Sequence, residues 1–142
     1  MGSPKNIDAR KYSRVAKQRF DEASIIVTRA QLYAPAQYLA GFAIECILKA
    51  LVITLTPANE RPPAGADTIQ WLKETFGHDL RDLRIEVAKR GAKMSRDTAA
   101  EFAFILSWDP ESRYELGPGD PDVTRRFLEA AGKIIDWADQ RM

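Results

Sequence analysis

The sixteen residues from Tyr38 to Ile53 read Tyr-Leu-Ala-Gly-Phe-Ala-Ile-Glu-Cys-Ile-Leu-Lys-Ala-Leu-Val-Ile, apolar on nearly every side. A helix that is apolar all round has to be walled in by other elements. The stretch therefore predicts a central helix running to about Leu55, and the remaining chain must supply its walls. Its only charges are Glu45 and Lys49, four residues apart with the glutamate first, which is the spacing and order of an i,i+4 ion pair. A charge pair set into a buried helix costs desolvation unless it is well partnered, so these two residues are the first candidates for a functional role.

The flanking sequence supplies further helices. Tyr12, Val15, Ala16, Phe20, Ala23, Ile26, Val27 and Ala30 recur at three- and four-residue steps and predict a helix over 9–31, with Asp8 as its cap. Tyr33-Ala34-Pro35 is read as a short turn, with Pro35 in the first turn of the central helix. Residues 56–66 hold Pro57, Pro62, Pro63 and Gly65 and are expected to form a loop, the most flexible segment of the chain. Asp67 with Gln70 three residues on suggests a capping box for a short helix that buries Ile69, Leu72 and Phe76 and ends at Gly77. From Asp79 another helix turns Leu80, Leu83 and Val87 inward and stops at Gly91. Ser95 caps a helix carrying Thr98, Phe102, Ile105 and Leu106, which Asp109-Pro110 ends. Gly117-Pro118-Gly119 is a turn. Asp120-Pro121 then starts the last helix, with Val123, Phe127, Ala130, Ala131, Ile134 and Trp137 as its stripe. No stretch alternates in the manner of a strand. The expected fold is all-α, a compact up-and-down bundle of four to five helices in one domain over 1–142, with its core at about 9–140.

Charge and cysteine content limit the function classes. The net charge of +1 gives no global reason to expect a nucleic-acid or membrane protein. Locally the balance is uneven. Residues 1–19 hold six bases against one acid, a net of +5, and residues 81–96 hold six against two, a net of +4. These two faces are candidate phosphate-backbone tracks, with solvated helix surface as the plainer reading. No aromatic lies among the bases of 81–96, which argues against base stacking there. Cys46 stands alone in the apolar stretch, so no internal disulfide is possible, and no zinc spacing exists. It is read as a small core residue. The polar amino terminus does not resemble a signal peptide, and the charges of Glu45 and Lys49 argue against membrane insertion of the central stretch. A soluble, cytoplasmic protein is expected.

The chain carries no glycine-rich phosphate loop, no nucleophile elbow and no paired histidines, and no cofactor is expected. Its single histidine, His78, beside Gly77 at a helix junction, reads as a cap or structural hydrogen-bonder, or as a titratable group facing a pocket. The Glu45–Lys49 pair has three readings: a subunit-interface pair, a pair satisfied by the 108–114 segment, or a ligand-binding couple. Arg113 is the natural third partner, because a guanidinium grips a carboxylate or a phosphate through two parallel hydrogen bonds. Tyr114 beside it adds a stacking surface and a hydroxyl. Glu45, Lys49, His78, Arg113 and Tyr114 are thus the candidate ligand-binding residues, and none is assigned a catalytic or metal-binding role.

Tyr38 through Leu51 is similar to the signature helix of the HEPN (higher eukaryote and prokaryote nucleotide-binding) domain family. His78-Asp79-Leu80 with Leu83 resembles that family's second landmark, and Trp108 through Arg113-Tyr114 its third. The three come in the family's order and span roughly 9–140. The resemblance implies a helical bundle that commonly dimerises. It also implies kinship with RNA-cleaving toxins and with small proteins that accompany a nucleotidyltransferase in toxin–antitoxin or defence settings. The cleaving members carry an Arg-x4–6-His motif. Here the three positions that would hold its arginine before His78 are Trp71, Leu72 and Lys73, and no histidine follows Arg113. The expectation is a non-catalytic homodimeric module that binds a nucleotide or RNA phosphate, or holds a nucleotidyltransferase. The alternatives are a metal-independent ribonuclease with a site built on His78 and Arg113, or a purely structural dimerisation module.

Overall fold

The computed structural model describes residues 4–65, 67–107, 117 and 119–142. Within them the chain is all-α: α1 is Ile7–Ile25, α2 Tyr33–Leu55, α3 Thr68–Thr75, α4 Leu80–Lys89, α5 Arg96–Ser107 and α6 Pro121–Asp139. These are six α-helices among the described residues, one more than the expected bundle of four or five. They match the six helical segments read from the sequence, with the short α3 and α4 separated at Gly77.

α2 is the central element, packed against α1, α4 and α6, with α5 lying on α6. Ala43, Ile44, Ile47, Leu48, Ala50, Leu51 and Val52 are each wholly buried. Every fully buried large aliphatic side chain contributes about 1.5–3 kcal/mol, so this helix alone supplies a large share of the driving force. α2 is also long and apolar enough to cross a membrane, but 61% of its most apolar window is buried against the rest of the protein, as in a core helix. The wholly buried side of α1 consists of small residues, Ala9, Ser13, Ala16 and Ala23. Small side chains at a contact shorten the distance between helix axes.

Helix ends agree with the sequence in several places. Asp120 accepts a hydrogen bond from Val123 N at 2.9 Å, with Pro121 at the first helical position. Ser95 Oγ accepts from Thr98 N at 3.2 Å. Gly77 (φ +65°) and Gly91 (φ +98°) end α3 and α4 in the left-handed region that an L side chain rarely enters. Gly119 (φ +89°) is required twice over, since a Cβ there would lie 2.6 Å from Ala34 N in the first turn of α2.

Other ends differ, each for a local reason. α1 begins two residues before the predicted position, so its cap is Asn6, which accepts from Ala9 N at 3.0 Å. Asp8 lies inside the first turn and reaches across to the end of the 56–66 segment and the start of α3, where its Oδ2 accepts from Gly65 N and from Thr68 Oγ1, each at 2.8 Å. That bond turns Thr68 inward. The buried side of α3 is therefore Thr68, Leu72 and Phe76, and Ile69 is 67% exposed. Asp67 makes no side-chain cap, and Gln70 pairs with Glu74 instead of closing a capping box. Past Ile25 the first helix widens into a π-turn over Ile26–Ala30 and stops at Gln31 (φ +54°), so α2 starts directly at Tyr33. The expected loop holds a 3-10 turn, Ala58–Glu60, and Arg61 ties it to the end of α2 through Ile53 O and Thr56 O at 2.7 and 2.6 Å. Val123 leaves the expected stripe of α6 and is 46% exposed, its inward place taken by Thr124. Trp108, Arg113 and Tyr114 lie outside the described residues.

Candidate functional site

One face of α2 does not enter the core. Tyr38, Phe42, Glu45 and Lys49 follow each other at steps of four, three and four residues, so they stack along one side of the helix. Tyr38 and Phe42 are 50% and 40% exposed, large aromatic surfaces on an otherwise buried helix. Opposite them the chain leaves α3 through a tight turn in which Phe76 N and Gly77 N both donate to Leu72 O, at 2.9 and 3.1 Å. This turn swings His78 onto the α2 face. Asp79 follows as the cap of α4, accepting from Arg81 N at 2.8 Å and Asp82 N at 3.3 Å. Between these elements lies a cleft of about 400 Å³, within the range of small-molecule sites. Tyr38, Phe42, Glu45, His78 and Arg81 line it, and Ile105, Leu106 and Phe127 belong to its apolar wall.

At the polar end three groups converge. Lys49 Nζ donates to Glu45 Oε2 at 2.7 Å and lies 2.9 Å from His78 Nδ1. His78 Nδ1 is 3.0 Å from the same Glu45 oxygen. Burial falls steeply across the cluster, with side-chain exposures of 7% for Lys49, 17% for Glu45 and 63% for His78. Lys49 therefore sits behind the cleft wall, Glu45 within it and His78 at its mouth.

The structure thus brings together three of the five sequence candidates. The ion pair forms as the i,i+4 spacing predicts. Its third partner is His78, and Arg113 and Tyr114, the partners sought from sequence, fall outside the described residues. From sequence alone Tyr38 and Phe42 read as part of the apolar run and Arg81 as part of a basic helix face, not as site residues. The signal that exposes Tyr38 and Phe42 is that they extend the Glu45–Lys49 face, and a face holding two charges is where an all-apolar helix has to meet something other than core. Arg81, on α4, reaches the cleft through the fold and carries no such signal.

Cys46, beside this cluster, is 2% exposed, and burial, with the Glu45 charge next, pushes its thiol up to about 11. It stays a protonated core residue. Tyr12 is also raised, first by burial, with the neighbouring Cys46, Asp8 and Glu45 adding to it. The two basic runs are partly consumed inside the fold. Lys17 pairs with Asp139, Arg19 with Glu22 and Arg90 with Glu86, while Arg84 lies over the Phe102 ring.

Comparison with protein-family models, with curated proteins and with solved structures found no match to this chain.

Proposed function

We propose that the protein is a non-catalytic, HEPN-like module whose cleft binds a nucleotide or an RNA end. The observation that carries this reading is the joint placement of two exposed aromatic rings, Tyr38 and Phe42, with His78 and Arg81 around one cleft. A nucleotide has a flat base and an anionic phosphate. Aromatic side chains stack bases at roughly 1–3 kcal/mol each, and a guanidinium and an imidazole N–H suit phosphate oxygens. Asp79 lies in the same wall, with its Oδ1 bonded to two α4 backbone amides. Lys49 supports the site from behind, balancing the charge of Glu45 so that the polar end is not an anion facing an anion. In the same reading the module works as a homodimer or beside a nucleotidyltransferase, as the family resemblance implies.

The test is thermal unfolding of the purified protein against a panel of nucleotides and a short RNA. A ligand that binds the folded state alone, at a hundred times its Kd, adds about 2.7 kcal/mol and raises the midpoint. Arg81→Ala and Tyr38→Ala both alter exposed side chains and should remove that shift while leaving the unliganded midpoint within a degree or two. If no nucleotide or RNA moves the midpoint, the reading fails. The exposed Tyr38–Phe42 face would then have to be examined against a protein partner or a second copy.

A further inference from the structure

We infer that Lys49 acts as a positioning residue that fixes the tautomer of His78, so that His78 offers an N–H donor at Nε2 to whatever enters the cleft. The inference rests on the proposed phosphate site only for the identity of the acceptor it meets.

An ammonium has three donors and no acceptor, and a carboxylate only accepts. Lys49 Nζ is 2.7 Å from Glu45 Oε2 and 2.9 Å from His78 Nδ1, with its side chain 7% exposed. A buried ammonium needs acceptors, and leaving one of its donors without a partner is costly. When the ring is neutral, the contacts of Lys49 to Glu45 and to His78 are both satisfied only if Nδ1 is bare and accepts from Lys49. That leaves Nδ1 and Glu45 Oε2 as two acceptors 3.0 Å apart, each turned to the Lys49 ammonium between them. The single ring proton then resides on Nε2. The opposite tautomer would give Glu45 a donor across its 3.0 Å contact, but it would set the Nδ1 proton against a Lys49 ammonium at 2.9 Å. Glu45 already has a donor in Lys49, so it gains little from that exchange. When the ring is protonated, Nδ1–H turns to Glu45 and Nε2 keeps its proton.

In both states Nε2 therefore carries hydrogen. The charged groups around the ring are Glu45 and Lys49 from α2 and Asp79 and Arg81 from the start of α4, and Asp79 is tied to backbone amides. His78 is built to donate, together with Arg81, to an acceptor-rich anion such as phosphate. A general base would need Nε2 bare, so the same geometry argues against the ribonuclease alternative built on His78.

The chain has one histidine, which makes the test unambiguous. Protein labelled with nitrogen-15 histidine would be examined by two-bond proton–nitrogen correlation at a pH where the ring is neutral. The expected spectrum shows Nε2 protonated and Nδ1 bare. Lys49→Met should move the population toward Nδ1–H, since Glu45 alone then directs the ring. Glu45→Gln, which keeps Lys49, should leave Nε2–H dominant. A wild-type spectrum with Nδ1–H dominant overturns the inference without recourse to any variant, so a variant that fails to fold does not shield it. Equal tautomer populations in wild type and Lys49→Met, with both folded, also overturn it. Titration with inorganic phosphate and with adenosine 5′-monophosphate is read separately. A fixed tautomer whose ring signals ignore both probes leaves the tautomer assignment standing and counts against the nucleotide reading alone.

Discussion

Arg90 Nε donates to Thr56 Oγ1 at 2.9 Å, joining the C-terminal ends of α4 and α2 across 34 residues of sequence. Thr56 can accept because its own proton is given to Val52 O at 2.6 Å. The same guanidinium donates to Glu86 Oε2 at 2.7 Å and to Glu86 O at 2.9 Å, and it lies 5.1 Å over the Phe76 ring. One side chain thus holds three elements, α2, α3 and α4, around the turn that presents His78.

Arg90→Ala is expected to destabilise the fold by about 1–3 kcal/mol, from the lost charge-assisted bonds and the lost contact with the ring. Urea unfolding at neutral pH reads this as a lower midpoint with an unchanged slope. Arg90→Lys should recover only part, because an ammonium does not span Thr56 and Glu86 as a planar fork does. A variant as stable as the parent would show that the junction is held by apolar packing alone.

Acid should loosen the seam between α5 and α6. Glu101 accepts from Arg126 at 2.7 Å and from Lys133 at 3.3 Å, and the Arg126 hydrogen bond in particular holds its carboxyl below the ordinary value of 4.5. Glu86 is lowered in the same way, chiefly by Arg90. A carboxyl depressed in the folded state contributes stability above its unfolded value, and that stability is lost as pH falls through the folded value. Stability should therefore decline from about 4.5 downward. Glu101→Gln should flatten that part of the profile at a cost of up to about 1 kcal/mol at neutral pH, the scale of a partly exposed pair. A profile unchanged by the substitution would remove Glu101 from the acid response.

Cys46 should not react with a maleimide in the native protein near neutral pH. The thiolate is the nucleophile, and burial beside Glu45 pushes the thiol up to about 11. Labelling is expected only through opening of the fold, so its rate should rise in step with urea concentration. Rapid stoichiometric labelling without denaturant would contradict the buried placement of α2.

The parts of this architecture that are legible in the sequence are those set by local periodicity. The apolar run of α2, the Asp120-Pro121 start of α6 and the Glu45–Lys49 spacing each depend on residues within one or two helical turns of each other. His78 as the third member of the cluster is not legible in this way. It stands 29 residues from Lys49, and its approach depends on the left-handed turn at Gly77 and on which side of α3 is buried. The capping-box reading places Leu72 and Phe76 on that side correctly but puts Ile69 inward, whereas the bond from Thr68 to Asp8 brings Thr68 in and leaves Ile69 exposed. Long-range hydrogen bonds of this kind leave no periodic trace, and the cleft is assembled from them.

The grip of Asp8 on Gly65 and Thr68 makes the first turn of the chain a remote foundation for the cleft. Asp8 fixes where α3 begins, α3 fixes where the Gly77 turn falls, and that turn delivers His78 to Lys49. Work done at one end of such a chain of supports is felt equally at the other, by thermodynamic reciprocity. On the proposed reading, a substitution or fusion that disturbs Asp8 should therefore weaken a ligand's hold on the cleft without touching it. A ligand seated there would, on the same reading, hold the first turn of α1 more tightly onto the fold.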